Sequence, residues 1–321
     1  MSRPAPSLLV VTYHYVRDPD EVRYPGIYPV SMERFSEDID RLGEECGFVT
    51  PQEAELFLRG EAEFDGPRIL IAFDDGLDDQ WRAARQVLDP RGVKASFFVA
   101  SRPHADRRAL LVNKLQYLRS ISPPARFRKK FLDKLPPEAL LLAEHPAFRK
   151  KAASVYVHDN EPDACMKYLA NFSLGAEVTE RIVDHMLALE GIYEGALCAG
   201  LYMNADRLRR LHRSGHMVGC HGHSHRPLGS MIKPERDREV ATSLETLSGI
   251  LGKRPGWISF PYGRGDAMPR DAERLCNDFG FRVGMSLHPG WNWPNGCSTG
   301  SSVPRPTWRL RKSLDRNRQL T

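Results

Sequence analysis

Ile69-Leu70-Ile71-Ala72-Phe73-Asp74-Asp75-Gly76 is a short apolar run closed by two adjacent carboxylates and a glycine. A run of this length suits a buried strand and is far too short for a membrane span. The glycine lets the chain turn, so the two acids arrive together at the strand's end. Similar runs recur at Leu8 to Thr12, Ala95 to Ala100, Met217 to Gly219, Trp257 to Phe260 and Phe281 to Met285. Most are followed by helical periodicity: Met32 to Cys46, Asp78 to Leu88, Ala205 to Ser214, Pro234 to Leu251 and Pro269 to Phe279. Pro234 and Pro269 stand where a helix can begin, and Gly47, Gly215, Gly252 and Gly280 where one stops.

Repeated βα units predict an α/β fold with a parallel sheet covered by helices, and their number favours closure into a barrel. Residues from about His104 to Gly200 break the rhythm. They carry Leu-rich segments with basic runs, Arg126 to Lys130 and Arg149 to Lys151, and read as helical throughout. The chain is therefore read as one barrel domain, 1–321, interrupted by a mainly helical insertion at about 104–200. The basic runs read first as solvated helix faces, with a role in holding an anionic substrate as the alternative.

Composition narrows the classes of function. Of 321 residues, 41% are hydrophobic, enough to bury a core, so a disordered chain is excluded. The net charge of +5 is too mild to point to nucleic acid. Neither a transmembrane segment nor a secretory signal is recognisable, so a cytoplasmic location is expected. The basic tail from Arg309 to Arg318 reads as a solvated terminus, with loose attraction to anionic lipid as the alternative. Six scattered cysteines without a CxxC pair read as reduced, packed thiols. Gly296-Cys297-Ser298-Thr299-Gly300 matches GxSxG, but no histidine follows it to complete a hydrolase triad.

Four segments that follow candidate strands carry the chemistry. Asp74 and Asp75 could divide between holding a cation and taking a proton from water, because adjacent strand residues point in opposite directions. Gly219-Cys220-His221-Gly222-His223-Ser224-His225 packs three histidines into five residues. In a helical turn His221 and His225, four apart, lie on one side, and with one carboxylate they make a two-histidine, one-carboxylate metal set. His223 is expected to point elsewhere, in support. Ser259-Phe260-Pro261-Tyr262-Gly263 is a rigid turn able to aim the Tyr262 N–H at an oxyanion. Thr12-Tyr13-His14-Tyr15 brings an imidazole to the same barrel mouth. Together they suit metal-assisted hydrolysis of an amide or ester.

These residues resemble the polysaccharide deacetylase family, the NodB homology domain of carbohydrate esterase family 4. Ala72-Phe73-Asp74-Asp75-Gly76 is similar to its TFDDG signature, and the histidine cluster to its HxxxH. The resemblance implies an irregular (β/α)7 barrel that removes an N-acetyl group from an amino sugar. By it, Asp74 is the general base, and Asp75, His221 and His225 hold a divalent metal, usually zinc, with Co2+, Mn2+ or Ni2+ as alternatives. Pro261 and Tyr262 belong to the third motif, whose tyrosine N–H helps form the oxyanion hole.

Family members often carry an arginine where this chain has Ser259, so Arg305 is the substitute candidate for tuning the base. Tyr13-His14-Tyr15-Val16 resembles the permuted relatives that supply the general-acid histidine from the first strand, which makes His14 the acid and His288 the reserve. The implied partner is an N-acetylated sugar or glycan precursor, nucleotide-linked or lipid-linked being open, and no oligomeric state is implied. The rival readings are an allantoinase-like or formamidase-like hydrolase of the same fold and a carbohydrate-binding barrel without catalysis.

Overall fold

A computed structural model describes residues 6–24, 26–156, 159–288 and 290–294. Six strands form one wholly parallel sheet in sequential order: β1 (Ser7–Tyr13), β2 (Pro67–Phe73), β3 (Ala95–Val99), β4 (Met217–Cys220), β5 (Trp257–Ser259) and β6 (Val283–Met285). Each coincides with an apolar run picked out in the sequence, and the sheet curls into a half-barrel of the α/β class expected. The resemblance implied seven strands; six are present among the described residues. Beyond β6 the chain returns to β1, where Asn292 and Leu8 exchange backbone hydrogen bonds of 2.8 and 2.9 Å.

Helices α1 (Met32–Cys46) and α2 (Pro51–Leu58) separate β1 from β2, α3 (Asp78–Ala83) follows β2, and α4 (Arg102–Ala105) follows β3. The intervening helical stretch holds α5 (Leu111–Ile121), α6 (Pro124–Leu132), α7 (Pro137–Glu144), α8 (Pro146–Val155), α9 (Glu161–Tyr168), α10 (Ala176–Leu189) and α11 (Glu194–Leu201). Then come α12 (Ala205–Arg213), α13 (Lys233–Leu251) and α14 (Ala272–Asp278). Local chemistry explains several boundaries. Thr50 and Glu53 form a reciprocal capping box at the start of α2 (Glu53 N to Thr50 Oγ1, 3.2 Å; Thr50 N to Glu53 Oε2, 2.7 Å). Pro234 opens α13 and Gly252, at φ 67°, ends it. Two boundaries differ from expectation. The helix read over Asp78 to Leu88 changes to a π turn after Ala83, and α14 begins at Ala272 because Pro269 instead accepts a turn hydrogen bond from the Ala272 N–H.

The described residues fall into two compact units, 6–18 with 29–108 and 198–294, and 19–28 with 109–197. In the first, Leu8, Leu70, Ala72, Phe98, Trp257, Val283 and Met285 from five strands gather with Ala54 and Phe57 of α2. Strand alternation sends Ile69, Ile71 and Phe73 to the other face, where Phe73 stacks on Phe97 at 4.8 Å. Ile69 to Phe73 are each at most 1% exposed, so this strand buries about 1.5–3 kcal/mol per large side chain. In the second unit, Phe127, Phe131, Leu169, Val183 and Leu187 centre a separate core. Here the buried Lys114 ammonium meets Glu180, Asp184 and Glu194 at 3.1, 2.6 and 2.6 Å, so this acidic cluster is answered by a cation of the chain itself. Basic residues of the helical stretch are also paired, Arg128 with Asp163 and Arg149 with Glu161. No helix among the described residues is long and apolar enough to cross a membrane.

His216 ties β3 to the turn before β4. Its Nδ1 accepts the Ala95 N–H (3.0 Å), and its Nε2 faces Asp89 Oδ1 (3.1 Å), which Lys94 also meets. Burial, opposed by Asp89, holds the imidazole below its usual pKa. Burial pushes Asp89 up, but bonds from Lys94 and His216 outweigh it and leave that carboxyl low. Unfolded His216 takes a proton below about pH 6.5, which the folded ring resists, so its contribution is whole above that pH and fades as pH falls toward the folded value. The Asp89 contribution is present above the unfolded carboxyl value and is lost in stronger acid. His216→Phe leaves the Ala95 N–H buried and unpaired, and is expected to destabilise by about 1–3 kcal/mol. It should also flatten the loss of stability between about pH 7 and 5. Denaturant midpoints across that range check both, and an unchanged midpoint at neutral pH refutes the account.

Candidate functional site

The C-terminal ends of β1, β2, β4 and β5 bring the sequence-predicted residues to one end of the sheet, where parallel barrels place their sites. After β2, Asp74 and Asp75 are each 2% exposed. After β4, the His221 N–H bonds Val99 O (3.0 Å), and the chain folds back to His225. Residues 221–225 are an open turn, not the helical turn expected: Gly222 takes φ 71° and His225 takes φ 60°. Left-handed backbone brings the two imidazoles together, their ring centres 4.8 Å apart.

Asp75 Oδ1 lies 3.6 Å from His221 Nε2 and 3.3 Å from His225 Nε2, and one ligand atom from each residue falls within 4.8 Å of the others. Ligand atoms about 2.0–2.2 Å from a tetrahedral ion lie roughly 3.3–3.6 Å from one another, so these donors fit a small divalent cation. The His221 Nδ1–H donates to Ser259 O (2.8 Å), which leaves the Nε2 lone pair directed at Asp75. Burial, reinforced by the neighbouring His221 and His14 and opposed by Asp75, drives His225 down to about 3, so its ring is neutral and able to bind a metal. Beside them, Asp74 Oδ1 is buried without a hydrogen-bond partner. Buried polar atoms are seldom left so, and a reactive carboxylate is one reason for an exception.

Strain concentrates here. Asp75 (φ 76°), His225 (φ 60°) and Tyr262 (φ 60°) all hold left-handed backbone, at about 1–2 kcal/mol each for residues with a Cβ. Such conformers persist where their surroundings dictate them. At the third motif, Phe260 N bonds Met285 O and Leu287 N bonds Gly263 O (2.8 Å). A Cβ on Gly263 would lie 2.6 Å from Leu287 N, so only glycine lets the turn pass. Pro261 is buried, and the Tyr262 ring meets His225 edge to face at 5.0 Å.

His14 follows β1 beside Asp74: Tyr13 pairs with Phe73, and the Asp74 N–H bonds Tyr13 O at 3.2 Å. Its side chain is exposed and close enough to bear on His225. The Gln80 amide on α3, fully buried, donates to His14 O (3.1 Å) and to Asp74 O, binding the two strand ends to one side chain. His223 points away from the other two histidines, its ring set between Ser101 Oγ (2.9 Å) and Asp106 Oδ2 (3.2 Å), as expected of a supporting residue. His288 is exposed and bonds Ser286 Oγ (3.2 Å). Arg305, the GxSxG match and the basic tail lie outside the described residues. The five described cysteines are free thiols.

Sequence reasoning missed Gln80, the Ser259 carbonyl and Glu239 of α13, whose carboxylate holds the histidine turn. Nothing in a single sequence marks them, since each acts by reaching another element.

Residues 172–284 match the polysaccharide deacetylase family, a segment that contains the histidine turn and the third motif. No curated protein matches the chain. Among solved structures, IcaB from Ammonifex degensii aligns over 98% of both chains at 18% identity with a TM-score of 0.55. Streptococcus pyogenes deacetylase PplD, solved with acetate, aligns over 89% of this chain and 85% of its own (12% identity, TM-score 0.52). The BpsB deacetylase domain from Bordetella bronchiseptica aligns over 91% and 93% (14% identity, TM-score 0.52). These likenesses carry the fold, and Asp75, outside the matched segment, joins the histidines within it only in space. Over residues 172–284 the chain is thus similar to the polysaccharide deacetylase family, and its half-barrel has the fold of these solved deacetylases.

Proposed function

We propose that the protein is a metal-dependent de-N-acetylase of an amino sugar in a glycan or glycan precursor. The observation that carries this reading is the convergence of Asp75, His221 and His225, next to Asp74, whose Oδ1 is buried without a hydrogen-bond partner. Asp75, His221 and His225 would hold the divalent ion, zinc being the first choice for two imidazoles and one carboxylate. When bound, such an ion supplies Lewis-acid polarisation of the acetyl carbonyl and lowers the pKa of the attacking water.

The chain's own residues do the rest. Asp74 takes the proton from the water as its oxygen bonds to the carbonyl carbon. The Tyr262 backbone N–H, on its left-handed turn, meets the developing oxyanion. His14 gives a proton to the sugar nitrogen as the C–N bond breaks, so acetate and a free amine leave. Gln80 keeps the two proton-transfer groups in register by holding both of their carbonyls.

Acetate release from chito-oligosaccharides and from nucleotide-linked N-acetylhexosamines tests the reading. Chelator-treated protein should be inactive and should recover with Zn2+, Co2+, Mn2+ or Ni2+. Turnover of allantoin or an N-formyl amide with no acetate from any sugar would transfer the site to the rival hydrolases. His14→Ala is expected to lower kcat about 100-fold, whereas His288→Ala leaves kcat unchanged. The opposite pattern makes His288 the acid.

A further inference from the structure

We infer that Glu239 is the positioning residue that sets the His221–His225 turn for metal binding; the inference rests on the metal site proposed above. Glu239 lies on α13, a 19-residue helix, and is half-buried. Its Oε2 accepts the backbone N–H of His223 (3.2 Å) and of Ser224 (2.8 Å), while Oε1 accepts the Ser224 hydroxyl (2.7 Å). Successive backbone N–H groups converging on one carboxylate form an anion nest, and bonds to an ionised acceptor are about twice as strong as neutral ones.

The turn needs such a hold. It reverses through Gly222 at φ 71° and delivers His225 at φ 60°, a conformation an imidazole-bearing residue leaves unless its neighbours prevent it. From the other side the Ser101 N–H bonds Gly222 O (3.2 Å), the Arg102 N–H bonds His223 O (2.9 Å), and Ser101 Oγ meets the His223 ring. Ser101 and Arg102 thus restrain the carbonyl edge, and Glu239 restrains the N–H edge. With both edges held, His225 Nε2 stays 3.3 Å from Asp75 Oδ1. Glu239 bonds no metal ligand side chain and acts through the turn alone.

Glu239→Ala is therefore expected to weaken metal binding about 10- to 100-fold, the loss seen when groups supporting metal ligands are removed. Alanine suits a helix, so α13 itself is kept. Glu239→Gln retains one carbonyl oxygen for the two N–H groups but loses the charge and the second acceptor oxygen, so it should weaken binding about fivefold. The experiment takes full-length apo-protein of all three forms and titrates Co2+ by its visible absorption. Zn2+ affinity is measured by chelator competition, and unfolding midpoints in parallel. The expected result is a graded loss of affinity, wild type above Gln above Ala, with an altered Co2+ spectrum for Ala and similar apo midpoints. Wild type that binds no ion refutes the metal site itself. Wild type that binds, with both variants at wild-type affinity and spectrum, overturns the role of Glu239 alone. Should Glu239→Ala fail to fold, Glu239→Gln decides, and undiminished affinity there overturns it.

Discussion

Asp74→Asn should yield a folded protein that takes up a divalent ion as wild type does and releases acetate about 10²–10⁴ times more slowly, the range carried by a general base. Asparagine matches aspartate in shape and cannot accept the proton. Asp74 Oδ1 has no hydrogen-bond partner in the fold, so the exchange breaks no bond there. It also removes a carboxylate that is 2% exposed, which leaves stability unchanged or higher. Metal content, unfolding midpoint and acetate release measured on one preparation separate chemistry from folding. A variant within a few-fold of wild-type turnover removes Asp74 from the reaction.

His225→Ala is expected to abolish both stoichiometric metal uptake and activity, the latter by on the order of 10³-fold if the ion supplies several kcal/mol to the transition state. Two ligands remain, His221 and Asp75, and their oxygen and nitrogen face each other across 3.6 Å without the third donor. The cleanest readout is thermal. An ion that binds only the folded chain stabilises wild type by about 2.7 kcal/mol at 100 times its Kd, so added Zn2+ should raise the wild-type Tm and leave the variant unmoved. Equal Zn2+-induced shifts in the two proteins would place the ion elsewhere.

The contrast between two turns shows how far the sequence reaches. The end of β2 was legible because an apolar run followed by Asp-Asp-Gly has one economical reading: a buried strand, two acids and a chain reversal. The histidine turn was legible in composition and not in shape. Two histidines four apart suggested a helical turn, whereas the fold uses Gly222 and His225 in left-handed backbone. Helical spacing is a local preference worth tenths of a kcal/mol per residue, and the bonds from Glu239, Ser101 and Arg102 outweigh it.

The amino-acid order alone determined the six strands, most of the helices around them and the residue types of the site, because periodicity, capping and turn chemistry act over a few neighbouring residues. Tertiary structure decided which atoms meet. It drew Asp75 and His225, 150 positions apart in the numbering, to 3.3 Å, set the proton on His221 through the Ser259 carbonyl, and gave Gln80 and Glu239 their roles. Contacts of that kind depend on the reach of side chains between separate elements, and such reach exists only once the strands have paired into one sheet.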